Sequence, residues 1–311
     1  MRVLFAGTPS IAVPALERLH RDHEVVAVLS NPDRPKGRGK RLEAPPVKQR
    51  ALELGLPVLQ YSSLKGEARR EIAALNPELL AVFAYGKIFG PKFLSIFPWG
   101  GLNVHPSLLP RYRGSIPIVA TIVNGDTVGG VTVQKIALDL DTGDIILQKE
   151  IPLEAHTTTP ELEEQASVIG AELLSRAITE LENGTARAVR QYEAEASYCR
   201  KLSKGDGRIY WGLPSVMIDR MVRAYIPWPK AHTFWRGRRL QVFETESAVQ
   251  ERDGTIQPGT VVGIDREKGI LVQTGRGGLY LRRLQLEGKK PMDWNEFING
   301  NKDLVGSILG E

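Results

Sequence analysis

Cysteine occurs once in the 311 residues, at Cys199. A single thiol excludes an intrachain disulfide and a cysteine-based zinc site, so Cys199 is expected as a small filler residue. No apolar run reaches the length that crosses a bilayer, and the opening MRVLFAGTPS meets Gly, Thr and Pro before a signal-type apolar region can form. The expectation is a soluble, unprocessed, cytoplasmic chain with no membrane partner. Histidine is also scarce: His20, His23, His105, His156 and His232 include no pair at helical metal-ligand spacing with a third ligand nearby, so no metal is expected. Internal repeats and low-complexity tracts are missing.

Two nucleotide motifs are incomplete as well. Phe5-Ala6-Gly7-Thr8-Pro9-Ser10 stands between a predicted strand and a predicted helix, where a dinucleotide fingerprint belongs, but the second and third glycines are not there. The run Gly37-Arg38-Gly39-Lys40-Arg41 lacks the Ser or Thr after its lysine, and Arg34 occupies the first glycine position of a P-loop. An oxidoreductase reading and a P-loop NTPase reading both lose their support.

What is present is a chain able to bury two cores, 42% hydrophobic and 25% charged. Short apolar runs alternate with amphipathic stretches: VLFA at 3–6, a helical pattern at 11–19, VVAVL at 25–29, a helix around 47–54 and LLAVFA at 79–84. That rhythm predicts a doubly wound, mostly parallel α/β sheet, whose strands read as continuous apolar runs because both faces are covered. Strands are expected at 129–136 and 145–151, and a long helix at 160–182 stopped by Asn183-Gly184. Residues 1–186 are read as the first domain and 187–207 as a linker wrapping back on it. After a short helix near 215–225, short strands at 240–245, 259–264, 269–274 and 279–284 predict that 208–311 form a small β-barrel, similar to the open oligonucleotide-binding type.

Charge follows the same division. Residues 1–186 hold 20 Lys+Arg against 21 Asp+Glu, and residues 187–311 hold 21 against 15. An excess on the C-terminal part is what a polyanion-binding appendage shows, although basic surfaces also occur without such a partner.

One segment has the form of a site. In Leu102-Asn103-Val104-His105-Pro106-Ser107-Leu108-Leu109-Pro110, residues two apart on a strand face one side, so Asn103 and His105 converge. The prolines then leave a stiff loop at the strand's carboxyl end, where open α/β sheets bind ligands. A turn-capping Asn and a satisfied core His give the same pattern. A second segment, Leu138-Asp139-Leu140-Asp141-Thr142-Gly143-Asp144, puts three carboxylates around a glycine turn in the same domain. One of them is in a position to reach the imidazole; Asp139 or Asp144 equally suits a cap.

Together these segments resemble the folate-dependent formyltransferases: Asn103-Val104-His105 with Ser107-Leu108-Leu109-Pro110, then Asp141-Thr142-Gly143-Asp144 beginning 36 residues after the histidine. The likeness extends through Phe5–Pro9, Pro32–Lys40, Ala84-Tyr85-Gly86, Lys201–Lys204 and Pro227-Trp228-Pro229, and is strongest to members that formylate charged initiator tRNA. It implies a Rossmann-like formyltransferase domain followed by the small barrel, and a catalytic trio of Asn103, His105 and Asp141. It further implies 10-formyltetrahydrofolate as donor, bordered by Ser107, Leu108, Leu109, Pro110, Tyr85 and Gly86, with no metal. Methionyl initiator tRNA is the implied acceptor and the enzyme a monomer. Its contacts would come from Arg34, Lys36, Arg38, Lys40 and Arg41 in the Pro- and Gly-rich loop at 31–50, and from Arg238 and Arg239 in the barrel. Glycinamide ribonucleotide or an amino sugar remains an alternative acceptor, and a non-catalytic RNA-binding protein an alternative class. The chain departs from the family pattern at Pro106, at Ser115-Ile116 and at Tyr210.

Overall fold

The structure is a computed structural model that describes residues 1–36, 41–248 and 256–310. The chain divides into two compact units, one comprising 1–117, 128–153 and 162–200, the other 118–127, 154–161 and 201–311.

Seven strands form the sheet of the first unit: β1 (Arg2–Gly7), β2 (Glu24–Ser30), β3 (Val58–Gln60), β4 (Leu79–Phe83), β5 (Gly101–His105), β6 (Val128–Lys135) and β7 (Ile145–Pro152). Their order is β7-β6-β5-β4-β1-β2-β3. The five from β5 to β3 are parallel, whereas β6 runs antiparallel to both β5 and β7. Both faces are covered, as the unbroken apolar runs require. Leu4, Ala6, Ala27, Leu29, Leu80 and Val82 pack on one side with Ile72, Phe89 and Phe93, while the alternate residues Val3, Phe5, Leu79 and Phe83 are equally buried. On β4 and β5 lies the long helix Thr159–Glu182, held close by Gly170. A Cβ there would stand 2.9 Å from Val104 Cγ1 and 3.0 Å from the Phe83 ring, so only glycine lets the helix approach the strand that carries Asn103 and His105. The helix stops at Gly184 in the left-handed region, φ 67°.

Part of the stretch expected as a loop at 31–50 is regular. Arg34–Lys36 and Arg41–Glu43 pair antiparallel, with Arg34 opposite Glu43 and Pro35 opposite Leu42. An isolated two-stranded ribbon has only edge strands, where proline is tolerated, and the Arg34–Glu43 pair sets opposite charges across it, while Lys36 stands opposite Arg41. Lys48, a further basic residue of this stretch, is engaged: it donates to Asp33 at 2.9 Å and to Gln60 at 2.8 Å.

In the second unit the strands of the sheet are β8 (His232–Trp235), β9 (Arg238–Ala248), β10 (Val261–Asp265), β11 (Gly269–Gln273), β12 (Gly278–Leu286) and the short β13 (Met292–Asp293), in the order β8-β9-β12-β11-β10 with β13 beside β12, every pairing antiparallel. Among the described residues β8 and β10 do not pair, so the sheet is a half-barrel. Trp211, Ile218, Val222, Trp235, Leu240, Val242 and Phe297 fill its concave side.

Candidate active site

Two neighbouring strands of opposite direction set the site. Asn103 and His105 lie on β5, and the register places them beside Gln134 and Thr132 of β6. Antiparallel pairing thereby adds two polar side chains to the face that carries the amide and the imidazole. The sequence reading did not single out Gln134 or Thr132. Their signal was there: buried polar residues alternating with Val131 and Val133 in a strand otherwise apolar up to its last residue, Lys135.

All of these polar residues but Thr132 open onto a cavity of about 600 Å³, lined by Asn103, His105, Pro106, Gln134, Asp141 and the segment 82–89 among others. Asn103 is half-buried and its side chain bonds to no other described residue. It sits inside a strand, so it caps no turn, and its amide is available to a ligand. His105 is 4% exposed, and its Nε2 lies 2.9 Å from the carbonyl oxygen of Tyr112. A carbonyl only accepts, so Nε2 carries a proton and Nδ1 is the nitrogen that can gain one. Nδ1 stands 3.7 Å from Asp141 Oδ2, too far for a direct hydrogen bond but close for a charge.

Of the three carboxylates in the 138–144 turn, the fold brings Asp141 to the ring. Its Oδ2 accepts the Gly114 N–H at 2.9 Å and its Oδ1 accepts Gln134 Nε2 at 2.9 Å. Asp141 itself adopts the left-handed region, φ 54°. The turn passes so near β6 that a Cβ on Gly143 would stand 1.7 Å from the Lys135 carbonyl oxygen, which explains the glycine. Asp139 is exposed, and Asp144 serves through its backbone carbonyl, which accepts the Lys135 N–H at 2.9 Å.

The loop after β5 faces inward instead. Ser107 Oγ donates to the Arg111 carbonyl at 2.6 Å, and the Ser107 carbonyl accepts from Thr132 Oγ1 at 2.6 Å. Leu109 is buried, its carbonyl accepts from Gln148 Nε2 at 3.0 Å, and Leu108 rests on Gly130. None of Ser107, Leu108, Leu109 and Pro110 lines the cavity, whereas Tyr85 and Gly86 both do. Tyr85 is 1% exposed, stacks on Phe89 with ring centroids 5.6 Å apart, and has a hydroxyl with no partner among the described residues. Burial pushes that phenol up to about 12, so it stays a donor at neutral pH. Pro106 and Ser115, two of the departures from the family pattern, lie in the cavity wall; Tyr210 is exposed in the second unit.

A second recess shares Lys87 and Ile88 with this cavity and carries Lys65, Arg69 and Lys92 with no acidic residue in its lining. Burial, then the charge of Arg34, holds the Lys87 ammonium below its ordinary value. Arg34 itself lines neither cavity. Lys36 and Arg41 are described in their backbone only, and Arg38 and Lys40 lie outside the described residues. In the second unit Arg238 donates to the Glu287 carbonyl at 2.6 Å, and Arg239 points its Nη2 at His232 Nδ1, 3.1 Å away. Part of the C-terminal basic excess is matched internally, with Arg236 paired to Asp303 and Arg282 to Glu246. The first unit thus gathers Asn103, His105, Asp141, Tyr85 and Gly86; Arg238 and Arg239 belong to the other unit.

An amide donor, an imidazole with one free nitrogen and a fixed carboxylate on one cavity wall suit transfer of a carbonyl group to a nucleophile. Comparison with known proteins agrees. Residues 1–178 match the family model described as formyl transferase, and residues 201–302 match the formyl transferase C-terminal domain. The methionyl-tRNA formyltransferase of Treponema denticola is 42% identical, the match covering 98% of this chain and 98% of that protein. That of Chloroflexus aurantiacus is 43% identical, over 96% of this chain and 97% of that protein. Among solved structures, an N-formyltransferase from Helicobacter canadensis in complex with folinic acid and dTDP-3-aminofucose has the same fold, with a TM-score of 0.65 and 19% identity over 90% of this chain and 98% of that one. With both of its units matched in order and relatives above 40% identity along nearly its full length, the chain belongs to the formyl transferase family.

Proposed function

We propose that this protein transfers the formyl group of 10-formyltetrahydrofolate to the free amino group of methionyl initiator tRNA, acting as a monomeric cytoplasmic enzyme without a metal. The observation that carries the reading is the unpaired Asn103 amide beside a His105 whose Nδ1 alone is free to accept a proton, with Asp141 3.7 Å behind it. As the amine attacks the formyl carbon, negative charge grows on the formyl oxygen, and Asn103 donates to it. One such donor supplies about 2.7–4 kcal/mol of barrier reduction. The nitrogen that has formed the new C–N bond loses its proton to His105 Nδ1, where the Asp141 carboxylate offsets the positive charge. The same proton then passes to the folate nitrogen as its bond to the formyl carbon breaks, which restores the neutral ring and balances the step.

A folate donor is supported by the cavity's chemistry: apolar walls for a pterin, the orphan Tyr85 hydroxyl, and an adjoining recess of Lys65, Arg69, Lys87 and Lys92 suited to the carboxylates of a glutamyl tail. The Helicobacter canadensis enzyme was solved with folinic acid. The tRNA acceptor is supported by the names of the relatives at 42% and 43% identity and by the basic ribbon after β2. The presence of a second unit does not by itself select tRNA, because the aminosugar-bound neighbour matches 90% of this chain.

Presenting the protein with 10-formyltetrahydrofolate and, in separate reactions, methionyl initiator tRNA, glycinamide ribonucleotide and a nucleotide-linked amino sugar tests the proposal. Formylation of the tRNA with at least about a hundredfold preference in kcat/KM is expected. Preference for either small acceptor would overturn the tRNA assignment, and transfer to none would favour a binding protein.

A further inference from the structure

The stretch between the long helix and the second unit builds part of the site. Tyr198–Cys199 pairs parallel with Arg113–Gly114, and Ile145 exchanges backbone hydrogen bonds of 2.8 Å with Val189. Between these two tethers lies Gln191, 7% exposed, and every hydrogen-bonding position of its side chain is used. Its Nε2 donates to the carbonyl oxygens of Asp141 at 2.8 Å and Gly143 at 2.7 Å. Its Oε1 accepts from Arg113 Nε at 3.1 Å and Nη2 at 3.0 Å. The reversed amide would set an oxygen against two carbonyls and a nitrogen against a guanidinium, so the orientation is unambiguous.

Arg113 is 1% exposed, a cation that cannot shed its proton. Glu193 meets it with two hydrogen bonds of 3.0 and 2.9 Å, and the Tyr198 hydroxyl lies 2.9 Å from Nη1. Burial works against the charge, but Glu193 and Tyr198 more than offset it, holding the guanidinium above its ordinary value. A fixed, planar fork is thereby presented to Gln191 from a strand that also supplies the Gly114 N–H to Asp141.

From this arrangement we infer that Gln191, oriented by Arg113, is a positioning residue that fixes the Asp141 carboxylate against His105. Asp141 is a non-glycine residue held at φ 54°, a conformation that costs energy and persists only where neighbours impose it. Gln191 ties down the carbonyls on both sides of Thr142, while Gly114 and Gln134 hold the two carboxylate oxygens. Without the Gln191 donors the turn keeps only the local bond from Thr142 Oγ1 to the Asp139 carbonyl, 3.1 Å, as a side-chain hold on its backbone among the described residues, and the backbone that aims the Asp141 carboxylate at Nδ1 is free to shift. A misplacement of about 1 Å costs on the order of a hundredfold in rate.

The inference rests on the assignment of Asp141 to catalysis. Gln191→Glu keeps the shape and the Arg113 pair while turning the donor into an acceptor facing two carbonyls. Its kcat for methionyl-tRNA formylation should fall by about tenfold or more with the donor KM within about twofold of the parent. In an Asp141→Asn background the same substitution should cost less than about twofold, because the clamp then holds nothing that acts. Gln191→Leu, which removes both sets of bonds, should behave alike. A tenfold loss that repeats in the Asp141→Asn background, a rise in KM at unchanged kcat, or unfolding of both Gln191 variants at 25 °C would overturn the inference by making Gln191 a determinant of fold or binding. An Asp141→Asn protein as active as the parent would instead sink the assignment of Asp141. An impaired Asp141→Asn beside a fully active Gln191→Glu would sink the role of Gln191 alone.

Discussion

Replacing Asp141 by Asn changes charge at nearly constant shape. The carboxylate has two oxygens, both accepting: one from the Gly114 N–H and one from Gln134 Nε2, each at 2.9 Å. An asparagine offers one oxygen, so its nitrogen must face a donor on one side or the other. Rotating Gln134 does not relieve the conflict, because its Oε1 already lies 3.3 Å from Gln191 Nε2, and the turn would put nitrogen against nitrogen there. The larger effect is on the reaction. At 3.7 Å a unit carboxylate stabilises an imidazolium by about 1 kcal/mol in a water-like medium and about 4 kcal/mol at an effective dielectric of 20. Asp141 has 11% side-chain exposure, so its surroundings lie between these limits. Losing it should lower the transfer rate between roughly fivefold and several hundredfold. Single-turnover transfer at saturating donor and tRNA measures this directly, with donor affinity read separately by calorimetry and expected within about twofold of the parent. A variant that transfers at the parent rate would refute the reasoning from charge and distance.

Further outcomes follow from other parts of the structure. Tyr85→Phe removes a buried hydroxyl that has no partner among the described residues, so the unfolding midpoint should hold or rise, while donor affinity falls by about 0.5–1.5 kcal/mol; a stability loss, or unchanged donor binding, would show the hydroxyl to be engaged elsewhere. Gly143→Ala places a Cβ against the Lys135 carbonyl and should destabilise the first unit by about 1–3 kcal/mol in denaturant unfolding while reducing activity; a neutral result would mean the turn has room it does not show. Lys40→Ala combined with Arg41→Ala should flatten the dependence of log tRNA affinity on log salt by about 1.5–2 and leave donor affinity alone; an unchanged slope would remove these two residues from the tRNA contact.

Part of this site was legible from one strand and one turn. The period of two along Gly101–His105 put Asn103 and His105 on one face, and the glycine turn put carboxylates in the same domain. Which carboxylate reaches the ring came from the resemblance alone and not from the residue pattern, because it depends on the path of 137–144 past β6 and on a left-handed Asp141 that local sequence does not encode. Gln134 was hidden for a different reason: β6 was foreseen as a strand, but its antiparallel register beside β5 is a tertiary fact. Arg113 and Gln191 are 78 residues apart in sequence and meet through the return of the 187–200 stretch, which read as a linker because its short bridges leave no periodic pattern. The residues from Ser107 to Pro110 read as a ligand loop, yet their polar groups are spent on Arg111, Thr132 and Gln148, and the cavity wall is drawn from 82–89 and 134–141 instead. The 31–50 stretch read as a loop from its composition; proline tolerated on edge strands and the one Arg34–Glu43 charge pair are compatible with part of it being a ribbon.

Recovery of labelled formyl on methionyl initiator tRNA in a single turnover tests the central claim most directly, run on the parent beside a variant with Asn103→Ala and His105→Ala together. Near-stoichiometric label on the amino group with the parent, and a rate at least about a thousandfold lower with the double variant, is the predicted result. Equal transfer by both proteins, or none by the parent, would contradict it.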